Sequence, residues 1–515
     1  MKNGKTEMQQ YIGKMSSIFK WLYLIFILLF DNSIVYDTTL TKCFSKVLII
    51  MGTLIILWRI LSYKEYVNYP YIVLYGLFLA TFVLTGLLNF RYGYLGNLKL
   101  LIWMTFQFFI LYLFDREKNT GIKHEYIVCL IIIIIYTTIV NAIGIRMLFT
   151  NFSQERLVEN NQRLLLIGVA YWGRLFGVHT DPNYGAVLSI IAIMCALYIV
   201  FKCKHLFLKI IMGITMFVQI VYLSFSASRT GLVCVCVALG SFFLLYNVLM
   251  KNKIGISIVC SLAAICTCLV FVKIIPVAYN SYVDKLEKSE LQTESTVAQC
   301  ESKTSNDVEP ESQLATENTL LTENNDNDSK NTELPEVSVS ETESSVVNEY
   351  NDKKEEQLTK IGRKNEIKGD ISNRRFDLWK NGIQTFLKSP IIGIGFGNII
   401  QYSKANLPNC YLLNNDLGTF GSYHNFIIDL LVSQGIVGFI LFIIIMIYSL
   451  KYIIINFNKI DESHRLMFAF LMSTCTCIFC SNMFTSGILY CNNETTVIFW
   501  LLWGYLINMI YRLDK

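Results

Sequence analysis

The segment SYHNFIIDLLVSQGIVGFILF, residues 422–442, places a short polar stretch directly before an apolar one. The apolar part belongs to a stretch near residues 425–448 that is long enough to cross a bilayer as a helix. His424 therefore stands where water meets the membrane, a position in which a titratable acid or base is useful. Asp429 lies inside the apolar run, where a carboxylate needs a hydrogen-bonding partner or a cavity.

Long apolar runs of this kind recur along the whole chain. Of its 515 residues, 53% are hydrophobic and 16% are charged, and the mean hydropathy is +0.45. So much unbroken apolar sequence excludes an ordinary soluble protein. We predict an all-α polytopic membrane protein with about twelve spans, near residues 18–36, 44–62, 70–88, 96–114, 126–145, 183–201, 207–225, 230–249, 254–275, 425–448, 466–486 and 495–511. Most of the 15 cysteines lie within these runs, and a Cys410–Cys491 disulfide is an open alternative.

Composition divides the chain into three predicted parts. Residues 1–275 hold the first nine spans, residues 276–424 form one large extracytoplasmic loop, and residues 425–515 hold the last three spans. Within the loop, residues 284–369 are rich in Glu, Ser, Thr and Asn and bury too little apolar surface to fold, so we predict a largely disordered acidic insertion. Residues 371–400 are predicted to form an interfacial amphipathic helix and a glycine-rich turn.

The distribution of basic residues predicts the orientation of the spans. Lys and Arg are about twice as frequent in the loops that share a side with both termini, which places the termini in the cytoplasm. The basic N-terminus is followed by no small-residue cleavage site, so a retained first helix is expected. This orientation puts Arg229, Arg375 and His424 on the extracytoplasmic side.

The amphipathic segment offers an anion-binding group. Arg374 and Arg375 can hold a phosphate-like anion, because a guanidinium binds phosphate oxygens through two parallel hydrogen bonds. Arg375 precedes Trp379 by one helical turn. Pro390 is expected to end this helix, and the glycines after it predict a bent loop with positive φ angles.

Two earlier outer segments carry further candidates. In SFSASRTG, residues 224–231, two spans meet with almost no loop, and Arg229 lies among serines that can bind oxygen anions. A snorkelling anchor is the alternative role for this arginine. In RLFGVHTDPNYGA, residues 174–186, Asp181 is a predicted N-cap for a helix that starts at Pro182. That capped start leaves Arg174 unexplained, and His179 is expected to be a surface histidine.

The spacing H-N-x9-G-x-x-G resembles that of the O-antigen polymerase/ligase superfamily of membrane glycosyltransferases. Three more matches accompany it: R-x-x-x-W followed by P-x-x-G-x-G-x-G, an outer R-x-x-G with P-N-x-x-A, and an S-R-[ST]-G turn. The residues that carry the resemblance are His424, Asn425, Gly435, Gly438, Arg375, Trp379, Pro390, Gly393, Gly395, Gly397, Arg174, Gly177, Pro182, Asn183, Ala186, Ser228, Arg229 and Gly231.

The resemblance implies an inverting glycosyl transfer without metal or other cofactor, on the outer face of a bacterial cytoplasmic membrane. Its donor would be an undecaprenyl pyrophosphate-linked oligosaccharide, with His424 as general base. Pyrophosphate binding would fall to Arg375, Arg229, Arg174 and Arg374, supported by Asn425, Trp379, Gly435 and Gly438. The implied partners are lipid-linked repeat units, membrane lipids, a flippase and a chain-length regulator, and no nucleic acid.

Three functions stay open on the sequence. A polymerase would join repeat units into a capsular polysaccharide, exopolysaccharide or O-antigen. The abundance of Ile, Lys and Asn indicates an AT-rich genome, which favours a Gram-positive capsule or exopolysaccharide and therefore a polymerase. A ligase would move finished polysaccharide to another acceptor. A transporter of the lipid-linked unit is less favoured, because the polar candidates gather on one side of the membrane and no internal repeat is visible. If His424 only caps its helix, the catalytic assignment fails.

Overall fold

The structure is a computed structural model that describes residues 2–115, 119–158, 163–250, 254–304, 358–362, 374–415 and 419–514. In chain order its first helices are α1 (Lys2–Phe30), α2 (Thr39–Leu61), the single turn α3 (Tyr63–Tyr66), α4 (Ile72–Leu88), α5 (Tyr94–Phe106), α6 (Asn119–Phe149), α7 (Pro182–Lys202) and α8 (Leu206–Phe225). They are followed by α9 (Arg229–Leu249), α10 (Ile254–Thr304), α11 (Arg375–Lys388), α12 (Ile399–Asn406), α13 (Phe426–Ile455), α14 (Glu462–Ser481) and α15 (Glu494–Asp514).

The helices account for every predicted span. In the described part of the chain, 11 helical stretches are long and apolar enough to cross a membrane, and α4 is a shorter apolar helix. Each of the predicted spans overlaps one of these helices. The all-α polytopic fold class is therefore confirmed, whereas the orientation in the membrane stays a prediction.

Helix α15 lies at the centre of the helical bundle. Its Trp500 and Tyr505 are fully buried, and it packs against α1, α7, α14 and the π-helical turn Gln107–Tyr112 that continues α5. Helix α9 lies along α14. Helices α2 and α8, by contrast, expose large apolar side chains such as Leu57 and Phe217, as expected for surfaces that face lipid.

The connection between α6 and α7 contains a small sheet that the sequence analysis did not predict. Strands β1 (Ser153–Val158), β2 (Arg163–Ala170) and β3 (Arg174–Gly177) form an antiparallel sheet in the order β1-β2-β3. The run LLLIGVA at residues 164–170 is typical of a short buried strand. Arg174 thus begins a strand at the edge of a sheet.

The structure describes part of the predicted acidic insertion. It divides into two units, residues 1–277 with 361–515, and residues 278–360. Helix α10 ends at Thr304, so residues 284–304 are helical, while disorder of the insertion as a whole stays a prediction. Glu and Lys are frequent in residues 284–304 and favour a helix. The rest of the predicted insertion lies outside the described residues, apart from residues 358–362.

Candidate active site

Two arginines from distant parts of the chain line one cavity of about 250 Å³. Arg229 is the first residue of α9, and Arg375 is the first residue of α11. Each therefore lies at a helix N-terminus, where unsatisfied N–H groups and the helix dipole favour an anion. The other lining residues are Thr230, Val233, Phe376, Trp379 and Phe484. We call this space the arginine cavity.

The walls of the arginine cavity are largely apolar and aromatic. The Arg375 guanidinium lies 5.8 Å from the centre of the Phe484 ring, within the range of a cation–π contact. Trp379, the residue predicted to accompany Arg375, lines the same cavity one helical turn away. Apolar walls reduce screening by water, so they strengthen the attraction between a bound anion and the two arginines.

The neighbouring Arg374 takes a different environment. Its side chain is exposed, and its guanidinium forms an ion pair of 3.3 Å with the carboxylate of Asp377. Arg374 also has a left-handed backbone (φ 63°) and precedes α11. It is not one of the residues that line the arginine cavity.

Arg174 supports the hairpin that carries Arg229. Its Nε donates to the carbonyl oxygen of Ser226 (2.9 Å), and a terminal guanidinium nitrogen donates to Oδ1 of Asn183 (3.1 Å). The Ser228 hydroxyl donates to the same Oδ1 (2.9 Å). The R-x-x-G and P-N-x-x-A segments are thus hydrogen-bonded to the S-R-T-G turn, and Arg174 makes one of these contacts directly.

His179 is buried, and the expectation of a surface histidine is wrong. Its Nε2 lies 2.9 Å from Oδ1 of Asn141 on α6, and Asn141 in turn donates to the Ser189 hydroxyl (2.8 Å). Burial lowers the pKa of His179 to about 4, so this histidine is neutral at physiological pH.

Asp181 caps α7 as predicted, accepting a hydrogen bond from the Asn183 N–H (2.6 Å).

His424 does not cap the helix that follows it. The cap is Asn425, whose Oδ1 accepts from the N–H groups of Ile427 (3.0 Å) and Ile428 (3.3 Å). His424 is half-buried, has a left-handed backbone with φ 51°, and meets the ring of Phe420 edge-on at 5.5 Å. The residue that caps α13 is therefore Asn425 and not His424.

The segment around His424 is tied to the loop that contributes Phe484. Asn425 donates through Nδ2 to the carbonyl oxygen of Met483 (3.1 Å), and the Phe426 N–H donates to that of Asn482 (3.0 Å). His424 is not among the residues that line the arginine cavity. The connection to the cavity runs through its neighbour Asn425. Asn425 binds Met483, and the next residue, Phe484, lines the arginine cavity.

Asp429 has the partners that its position demands. It is buried and accepts hydrogen bonds from the Tyr423 N–H (2.8 Å) and the Ser486 hydroxyl (3.0 Å). Ser486 also contacts the Ser422 hydroxyl at 2.6 Å. Asp429 therefore holds the backbone immediately before His424.

Cys410 and Cys491, the two residues of the alternative disulfide, are both free thiols in the structure.

The glycine-rich turn inserts into a break in α13. At Gly435 the backbone leaves the helical region (φ 62°, ψ −164°). The Ile394 N–H donates to the carbonyl oxygen of Val432 (2.9 Å), and the Ile436 N–H donates to that of Pro390 (2.8 Å). These bonds satisfy backbone groups that a broken helix would otherwise leave unpaired in the membrane. The P-x-x-G-x-G-x-G turn and the G-x-x-G segment of α13 are thus hydrogen-bonded to each other.

Residues 214–443 match the model of a family described as O-antigen ligase. That match contains Arg229, the amphipathic helix, His424 and the broken part of α13. This match supports the resemblance of the chain to the O-antigen polymerase/ligase-like superfamily. A protein of Haemophilus influenzae, described as uncharacterized, is 29% identical over 121 residues, which cover 24% of this chain and 28% of that protein.

The matched family is described as O-antigen ligase, and the 11 long apolar helices of the described residues are those expected of a multi-pass membrane protein. The superfamily motif residues occupy three places in the structure. Arg229, Arg375 and Trp379 line the arginine cavity, His424 and Asn425 precede α13, and Gly435 breaks it.

We expect Gly435→Ala to destabilise the fold strongly. A Cβ on Gly435 would lie 2.3 Å from the backbone carbonyl of Ile391. Its φ of 62° with ψ of −164° belongs to a region that is essentially restricted to glycine and costs other residues about 1–3 kcal/mol. Overpacking adds roughly 1–3 kcal/mol. Thermal unfolding of the purified protein in detergent measures the loss. Gly213→Ala on α8 is the matched control, because nothing lies within 4 Å of its added Cβ, and an equal loss in both variants would contradict the interlocked arrangement.

The loop between α14 and α15 contacts several parts of the candidate site, although the sequence pattern did not predict a role for it. Phe484 lines the arginine cavity, Ser486 binds Asp429, and the Tyr184 hydroxyl donates to the Ser486 carbonyl oxygen (3.0 Å). A signal was present in the sequence. Polar residues in SNMFTSG and CNNE at residues 481–487 and 491–494 interrupt two apolar spans, on the same predicted side as His424.

Proposed function

We propose that this protein polymerises undecaprenyl pyrophosphate-linked oligosaccharide repeat units on the outer face of the cytoplasmic membrane. The observation that carries the proposal is the presence of Arg229 and Arg375 in one apolar-walled cavity. The pyrophosphate of a lipid carrier is the anion that this site suits, because its lipid tail remains in the bilayer while its phosphates reach the arginines.

In the proposed reaction, an acceptor sugar hydroxyl attacks the anomeric carbon of the donor. The new glycosidic bond forms as the bond from that carbon to the pyrophosphate oxygen breaks, and attack from the opposite side inverts the configuration. Negative charge grows on the departing pyrophosphate. Arg229 and Arg375 stabilise this charge through fixed, permanently charged donors.

The proton of the attacking hydroxyl passes to His424. A neutral imidazole is suited to this task, because its unperturbed pKa lies near working pH. Its position supports the role: Asn425 and Asp429 hold the backbone on both sides of His424, so the imidazole is carried by a fixed segment beside the cavity wall.

The product would be a capsular polysaccharide, an exopolysaccharide or an O-antigen. Ligation of finished polysaccharide to another acceptor uses the same chemistry and differs only in the acceptor. A flippase that delivers repeat units and a regulator of chain length are the partners this proposal requires.

Deletion of the gene tests the proposal. We expect the ladder of surface polysaccharide on a gel to disappear while single lipid-linked repeats accumulate on the outer leaflet, because export precedes the blocked step. Full-length polymer that remains linked to its lipid carrier would instead identify a ligase. An unchanged ladder, with the deletion verified, would refute both activities.

A further inference from the structure

Helix α11 borders a second space, a polar cleft of about 450 Å³. One wall comes from α11 itself, and the other comes from the turn that follows α12. Four amide side chains line the cleft, together with Asp377, Lys380 and Tyr411. These amides are Asn381, Gln384, Asn406 and Asn409. We call this space the amide cleft.

The two spaces lie against different faces of α11. At about 100° per residue, Arg375, Phe376 and Trp379 lie along one side of the helix, and Asp377, Lys380 and Gln384 lie along the neighbouring side. The buried face of α11 consists of Leu378, Asn381, Gly382 and Thr385, and a Cβ added at Gly382 would meet the side chains of Tyr423 and Ile428. The helix therefore separates the arginine cavity from the amide cleft while standing against the residues that flank His424.

The amide cleft suits a hydroxyl-rich ligand better than an anion. An amide side chain carries both donors and an acceptor, which is the combination that sugar hydroxyls require. Asn406 already donates through Nδ2 to the Tyr402 carbonyl oxygen (3.0 Å) and the Tyr92 hydroxyl (3.4 Å), so it contributes chiefly its Oδ1 acceptor. Asn381 is held in place, since its Oδ1 accepts from the Leu412 N–H (3.1 Å) and its Nδ2 donates to Gln384 (3.1 Å). Asp377 and Lys380 in the lining carry opposite charges, so the cleft has no excess of positive charge that would favour a phosphate.

Aromatic rings lead from the amide cleft toward His424. Tyr411, in the cleft wall, stacks with Phe420 at 6.4 Å between ring centres and an interplanar angle of 28°. Phe420 meets His424 at 5.5 Å. Aromatic faces pack well against the C–H faces of sugar rings, so this row offers a path along which a glycan can extend from the cleft to the proposed general base.

We infer that the amide cleft binds the oligosaccharide of the lipid-linked substrate, while the arginine cavity binds its pyrophosphate. The inference rests on the proposed function and adds to it a separate sugar subsite. One helix then contacts both parts of the substrate, and the row Tyr411–Phe420–His424 connects the sugar subsite to the reacting carbon.

Binding measurements on the purified full-length protein test the inference. The probes are inorganic pyrophosphate and the free oligosaccharide that mild acid releases from lipid-linked repeats of the deletion strain. The variants are Asn406→Ala with Asn409→Ala, both exposed, and separately Tyr411→Ala. We expect oligosaccharide binding to weaken about tenfold in each, with pyrophosphate binding unchanged. Lys404→Ala is the control, because Lys404 is exposed on the adjoining α12 but does not line the cleft.

The outcomes separate this inference from the proposed function. Parental oligosaccharide affinity in both cleft variants overturns the sugar subsite, even if the protein polymerises repeats. Equal weakening of pyrophosphate and oligosaccharide binding also overturns it, because the two spaces would then not be separate subsites. A protein that makes polymer in cells and loses only oligosaccharide affinity supports both. Absence of polymer-forming activity in the parent refutes the proposed function and the inference with it.

Discussion

Replacing His424 with asparagine is expected to slow polymer formation by about 10²–10⁴-fold, the usual effect of removing a general base. Asparagine is the right replacement because His424 has a φ of 51°, and asparagine tolerates the left-handed region better than alanine. The fold should therefore survive, so the loss reports on the imidazole. Single lipid-linked repeats should accumulate on the outer leaflet, measured in membrane extracts beside surface polymer.

Asn425→Ala provides the contrast to this variant. It removes the cap of α13 and should cost about 1 kcal/mol of stability, visible as a lower melting temperature. If His424→Asn produces polymer at the parental rate, His424 has no part in the chemistry. If single repeats accumulate instead on the inner leaflet, the blocked step is export and the protein is a transporter.

The helices could be predicted because each needs only local information. A run of apolar residues of bilayer length has no stable alternative to a helix in the membrane, so the spans were visible in the sequence. The break at Gly435 was not, because it depends on the segment from Pro390 to Gly395 filling the gap. That pairing joins parts of the chain that sequence periodicity treats as independent.

The candidate site residues could be named from the sequence, but their arrangement could not. Arg374 and Arg375 are equivalent in the sequence, yet Arg375 begins α11 and lines the arginine cavity, whereas Arg374 precedes the helix with a left-handed backbone and pairs with Asp377. His179 illustrates the same limit, since its burial depends on Asn141 of another helix. Asn425 and His424 are likewise adjacent, and only the observed hydrogen bonds assign the cap.

Arg375→Ala is expected to reduce the rate of transfer by about 10²–10³-fold, the range found when one donor to a developing negative charge is removed. Arg375→Lys should recover part of the rate, because lysine keeps the charge and loses the two-pronged hydrogen bonding. The measurement is the rate of polymer formation from lipid-linked repeats in membranes that contain equal amounts of each variant. Arg374→Ala is a closely matched control. Its exposed ion pair contributes at most about 1 kcal/mol, so transfer should stay near the parental rate.

A double variant decides whether Arg229 and Arg375 act on one anion. Two side chains that bind the same pyrophosphate are coupled, so Arg229→Ala with Arg375→Ala should slow transfer less than the product of the two single effects. Their common place in the arginine cavity is the structural reason for this expectation. If the rate loss of the double variant equals the product of the two single losses, the arginines act independently. The interfacial anchor would then be the better interpretation of Arg229. A loss in Arg374→Ala as large as in Arg375→Ala would show that net positive charge, rather than the cavity, binds the substrate.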